Sequence, residues 1–173
     1  MKNLLFLLMS LFISLTALSQ DRLAGADVIN VASFTLPKEA TRLKPGSIRM
    51  SGSVEKKVPE GCATATFKKM YIQLAAASGE ADVDYLEKTQ KGITSFTESL
   101  GVKRDYHFQT KAINNYRVLI THETTNNMVN TYTFYCVAGD RKSVLTGVIE
   151  YPKNGEVDAK SELDKLLASI KFK

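Results

Sequence analysis

The segment from Asp105 to Pro152 restricts the fold most. It reads as DYHFQT, YRVLITH, VNTYTFYCV and SVLTGVIEY, broken by Asn114-Asn115, Asn126-Asn127 and Ala138-Gly139-Asp140. Each run is rich in β-branched and aromatic residues, and each break carries turn-forming types. In the second run Tyr116, Val118, Ile120 and His122 alternate with Arg117, Leu119 and Thr121. A period of two places these sets on opposite faces of a strand. Strands joined by such short turns must pair antiparallel, so a four-strand meander is expected.

Two helical patterns bracket the meander. Over 82–100, Val83, Leu86, Ile93, Phe96 and Leu100 form one stripe, and Gly101 stands where a C-terminal cap needs a left-handed residue. Over 157–170, Leu163, Leu166, Leu167 and Ile170 recur at i, i+3, i+4 and i+7. Asp158 and Glu162 near its start and Lys171 and Lys173 beyond its end suit the helix dipole. Upstream, 28–36 reads as a strand ending at Pro37, and 47–54 as a short strand after the Pro45-Gly46 turn. The stretch 64–77 fits a helix through Phe67, Met70, Tyr71 and Leu74, and a strand through Met70, Ile72 and Leu74; a strand over 67–76 is the expectation. The predicted fold class is α+β, an antiparallel β-sheet with amphipathic helices packed on it.

The order helix, NYRVLITHET, TYTFYCVA, SVLTGVIEY, then a closing helix running into LLASIKFK, resembles the PsbP-like family over residues 70–173. The resemblance implies an α-β-α sandwich, and a protein that binds other proteins rather than catalyses. It transfers no functional residue, because the matching positions read as structural.

The first residues carry a different message. Lys2 precedes an apolar run over 4–13, and Ala17-Leu18-Ser19 offers small residues for cleavage. This is the pattern of a secretory signal peptide over 1–19. The run falls short of the roughly 20 apolar residues of a membrane span. The remainder, 20–173, is expected to form a single α+β domain in an extracytoplasmic compartment, periplasmic or secreted, without an integral membrane span. A domain of about 150 residues buries about 70 % of its unfolded surface.

Charge excludes one class of partner. With Lys2 removed, 22 basic residues face 18 acidic ones, a net charge of +4. The basic residues are scattered, with no aromatic-interleaved stripe of the kind that tracks nucleic acid. They read as a solvated surface, with weak affinity for anionic envelope surfaces as the functional counterpart.

No catalytic or metal motif emerges. The sequence contains no Cys-x-x-Cys, no His-Glu-x-x-His, no EF-hand loop and no Gly-x-Ser-x-Gly. His107 and His122 fall on neighbouring predicted strands, either as a metal or acid–base pair or as two sheet-surface residues. Cys136 with a histidine would mimic a thiol dyad, which an oxidising compartment disfavours. The carboxylates Asp82/Asp84 and Glu60/Glu80 read as surface charges. Tyr106, Tyr116, Tyr132, Tyr135 and Tyr151 all fall on the meander, either as a recognition surface or as cross-strand packing. An even cysteine count in an exported chain points to a structural disulfide, Cys62 with Cys136; the alternative is that Cys136, on the face of Tyr132 and Phe134, is a small buried hydrophobe. Closing a loop of about 75 residues would contribute about 4 kcal/mol. The functional expectation is a non-catalytic binding or assembly module for an unidentified protein or envelope component, with no cofactor. A small extracytoplasmic hydrolase and a carrier of an apolar ligand are the alternatives.

Overall fold

The computed structural model describes residues 23–99, 105–124 and 129–173. The expected signal peptide, Leu100, Gly101 and Asn126-Asn127 lie outside them. In chain order the elements are β1 (Ala24–Ala26), α1 (Val28–Val31), β2 (Ala32–Ser33), β3 (Thr41–Arg42), β4 (Ile48–Ser51), β5 (Val54–Lys57), β6 (Ala63–Phe67) and β7 (Met70–Ser78). Then follow α2 (Tyr85–Ser99), β8 (Asp105–Ile113), β9 (Tyr116–Thr124), β10 (Val129–Ala138), β11 (Ser143–Pro152), α3 (Glu156–Ser169) and β12 (Lys171–Phe172).

The main sheet is antiparallel, in the order β3-β6-β7-β11-β10-β9-β8, with β1 on the far half of β7. The expected meander is β8 to β11. Its last strand returns to pair with β7, from Ser143 opposite Ser78 to Glu150 opposite Tyr71. The crossover through α2 therefore carries the chain from the middle of the sheet to its edge.

The two faces bury different partners. On one, Ile72, Leu74, Phe134, Leu145 and Ile149 meet Leu163, Leu166, Leu167 and Ile170 of α3, with Val28 and Val31 of α1. The stripe expected for this helix is its buried face. On the other, Leu119, Tyr135, Val137 and Val144 meet Tyr85 and Leu86 of α2. The result is the α-β-α layering. Tyr116 donates its hydroxyl to the Leu167 carbonyl, fixing the end of α3 to β9. Phe134 lies over Gly147, its direct cross-strand partner. A methyl group at 147 would come within 2.0 Å of the ring, so the position has no room for a side chain.

Several expectations are corrected. The segment 28–36 begins as a turn of helix, because Asp27 caps it through its carboxylate, 3.1 Å from the Ile29 amide. The segment 47–54 is not one strand: the chain reverses at Gly52, φ +60°, and makes the β4–β5 hairpin. The strand expected over 67–76 is β7, but it starts only at Met70: the stretch 64–77 is a hairpin, β6–β7, with Lys68 at φ 52° in its turn. Val83 lies outside α2 and is 73 % exposed. Beyond α3 the chain forms β12, which pairs with β2, and Lys173 donates its amide to the Val31 carbonyl.

The disulfide is also corrected: Cys62 and Cys136 are free thiols. Cys62 immediately precedes β6, whereas Cys136 is on β10, with β7 and β11 between these strands. Three strand spacings amount to about 14 Å. A disulfide needs Cα atoms within about 7 Å.

Candidate functional site

Two places gather side chains that packing alone does not require. The first is at the β8 side of the sheet, on the α3 face. His107 and His122 are direct cross-strand partners, with ring centroids 6.3 Å apart, so the sequence-level juxtaposition is real. His122 stacks on Tyr132 at 4.3 Å, and Tyr132 stacks on Tyr151 at 5.4 Å. The Nε2 of His122 shares a hydrogen bond with the Tyr151 hydroxyl. Burial lowers the His122 pKa, the Glu156 carboxylate at the start of α3 opposes this, and His107 reinforces it. Burial raises Tyr132 and Tyr151, so both hydroxyls stay protonated. The histidines open into a cleft of about 170 Å³ whose walls include Gln109, Ile120, Lys160 and Leu163.

That cleft holds two imidazoles, but among the described residues no group of three His, Cys, Asp or Glu side chains converges as a metal site. Cys136 does not join it. Its position on β10 lies four residues beyond Tyr132, the partner of His122, or about 13 Å along the strand. Burial raises its thiol pKa and keeps it protonated. Asp82 and Asp84 both bind Lys88, at 2.8 and 3.0 Å, as exposed ion pairs. Tyr116, Tyr132, Tyr135 and Tyr151 are buried, so they form no exposed recognition surface.

The second place was not anticipated. The β4–β5 hairpin lies on the α2 face, beyond α2, over Tyr71 of β7 and Glu150 of β11. Glu150 accepts two hydrogen bonds from Arg49, at 2.7 and 3.0 Å, one from Ser51 at 2.8 Å and one from Lys56 at 2.9 Å. The side chains of Arg49 and Glu150 are 8 % and 9 % exposed, and that of Lys56 is 23 %. The Arg49 guanidinium also lies 3.3 Å from the centre of the Tyr71 ring. Burial alone would raise the Glu150 pKa, but Arg49 and Lys56 outweigh it and hold the carboxyl at about 2. Burial pushes the Tyr71 phenol up to about 12, so it stays neutral under the cation.

Strand alternation completes the geometry. Arg49, Ser51 and Lys56 point to the sheet, so Ile48 and Met50 point away from it, with Lys57 and Glu55 opposite them. Ile48 is 65 % exposed and Met50 59 %. The arrangement has no catalytic geometry: the carboxylate is saturated by donors and the phenol is neutral. It clamps a hairpin from behind and displays its apolar side.

A comparison of folds finds the solution structure of cyanobacterial PsbP (CyanoP) from Synechocystis sp. PCC 6803, with a TM-score of 0.52 and 10 % identity. The match covers 88 % of this chain and 93 % of that one. The fold is PsbP-like. The crystal structure of LpqN, involved in cell envelope biogenesis of Mycobacterium tuberculosis, also matches, with a TM-score of 0.43 and 8 % identity over 82 % of each chain. No protein-family model matches the sequence, and no curated protein matches it. At 88 % of this chain, the likeness also extends into residues before 70, where the sequence resemblance did not reach.

Proposed function

We propose that the protein is an extracytoplasmic, non-catalytic binding module whose β4–β5 hairpin is the element presented to its partner. The observation that carries this reading is the outward placement of Ile48 and Met50 on a hairpin whose inward side is fixed by a buried ion network. Exposing two large apolar side chains costs solubility and gains nothing for the core. The clamp holds them outward, where a partner can meet them. The signal-peptide pattern at the N-terminus supports an extracytoplasmic site of action. A binding role is also what the PsbP-like resemblance implies.

The carrier reading has less support. Leu145, Ile149, Leu163, Leu167 and Ile170, each 0 % exposed, fill the space between sheet and α3 where an apolar ligand would lie. The test is retention of envelope components on immobilised protein, comparing the wild type with the Ile48→Ser/Met50→Ser double variant. The double variant should unfold at the same temperature and lose what the wild type retains. Equal retention by both would overturn the assignment of the hairpin.

A further inference from the structure

We propose that the surface this hairpin docks on is an anionic lipid bilayer. The proposal deepens the reading above and rests on it. Six large hydrophobic side chains are exposed among the described residues, and three of them fall on this one hairpin, Ile48 and Met50 on its outward face and Val54, opposite Ser51, on the other side at its tip. The others, Ile29, Val83 and Val157, lie far apart along the chain, on α1, before α2 and on α3.

Around the hairpin the exposed basic groups outnumber the exposed acids by three to two. Arg42, Lys44 and Lys57 are exposed, and Lys56 is partly so. Glu55 and Glu60 are the exposed acids between 42 and 60. The order along the hairpin matters more than the count. The tip is Ser51-Gly52-Ser53-Val54, Met50 comes next, and Ile48 with its partner Lys57 stands nearer the base. Lys44 lies below them in the turn that launches β4, where its carbonyl accepts from the Ser47 amide at 3.1 Å and hydroxyl at 2.6 Å. Met50 and Val54 toward the tip, Ile48 level with the Lys57 ammonium and Lys44 below them suit a hairpin entering a bilayer surface tip first. There side chains enter about 5–10 Å and lysines meet lipid phosphates.

Size separates this partner from a folded protein. A hairpin with two four-residue strands covers about 13 Å by about 10 Å. A stable protein interface needs about 800 Å² per partner. A bilayer needs only a few inserted side chains and some charge, and it binds reversibly. Glu55 is the one unfavourable group on the outward face, which supplies a diagnostic.

The test is co-sedimentation of the chain from Gln20 to Lys173 with phosphatidylcholine vesicles, with and without about one-third phosphatidylglycerol. Binding should be at least about fivefold stronger to the anionic vesicles and fall as salt screens it. Ile48→Ser/Met50→Ser should abolish it, Lys44→Gln/Lys57→Gln should weaken it and flatten its salt dependence, and Glu55→Gln should strengthen it. The chain contains no tryptophan, so Met50→Trp supplies a single reporter whose emission should shift to the blue on the vesicles. Equal binding to neutral and anionic vesicles, or none to either, would overturn the proposal. If the vesicles are ignored while the double variant still loses an envelope protein, the lipid assignment fails and the hairpin assignment stands. If the double variant binds vesicles as well as the wild type, the hairpin is not the contact.

Discussion

Replacing Glu150 with glutamine should weaken the fold by about 3 kcal/mol at pH 7, and most of that loss should vanish at pH 3. Glu150→Gln keeps the side-chain shape but removes the charge that faces Arg49 and Lys56. Lys56, 23 % exposed, can turn to water; Arg49, 8 % exposed, cannot. Removing one partner from a buried ion pair strands the other and costs about 3–5 kcal/mol. The depressed carboxyl gives an independent figure. The gap between the ordinary value of 4.5 and about 2 is equivalent to about 3 kcal/mol at 1.36 kcal/mol per pH unit. Because the value is depressed in the fold, this stabilisation is complete above about pH 4.5 and is lost as pH falls toward 2. At pH 3 about 2 kcal/mol of it has gone, so wild type and variant should differ by only about 1 kcal/mol. Urea unfolding followed by circular dichroism at both pH values measures this directly. At pH 7 the melting temperature should fall by about 6–12 °C. The reasoning is wrong if Glu150→Gln costs under about 1 kcal/mol at pH 7, or if the gap is as wide at pH 3 as at pH 7. A control separates charge from shape: Arg49→Met/Glu150→Leu removes both charges and should cost less than Glu150→Gln alone.

Two further expectations concern packing and thiols. Gly147→Ala should destabilise by about 2–3 kcal/mol, because the added methyl would strike the Phe134 ring; Phe134→Leu in the same chain should restore part of that loss, and its failure to do so would locate the strain elsewhere. Mass spectrometry of the unreduced protein should count two free thiols. A thiol reagent should modify the part-buried Cys62 well before the fully buried Cys136, whose modification should wait for unfolding; a Cys62–Cys136 bond in that spectrum would contradict the strand order.

Local period decided how much of the fold was legible. The closing helix could be read because Leu163, Leu166, Leu167 and Ile170 carry their signal within one stretch of chain, and all four are buried. The meander could be read because each turn sits between runs of alternating residues. The misread hairpins show where local rules give out. Lys68 takes a positive φ without being glycine or asparagine, so nothing in FKKM marks a reversal. Gly52-Ser53 did offer a turn signal, but the strand reading ran across it. At 28–36 the β-branched residues outvoted Asp27, whose cap starts a helical turn instead.

The hairpin clamp was unreadable for another reason. Glu150 sits in SVLTGVIEY, a central strand, where an unpaired carboxylate would be severely penalised. Read from the sequence, Glu150 shares a strand face with Thr146 and could equally face water. Its burial and its partners were not legible, because Arg49 and Lys56 lie 101 and 94 residues away along the chain. Once Arg49 is placed inward, alternation forces Ile48 and Met50 outward. The exposed apolar side is thus a geometric consequence of the buried charge. A substitution that frees Arg49 from Glu150 should therefore disturb binding even though both side chains are buried behind the hairpin. That coupling separates a clamped display from two apolar residues that happen to be exposed.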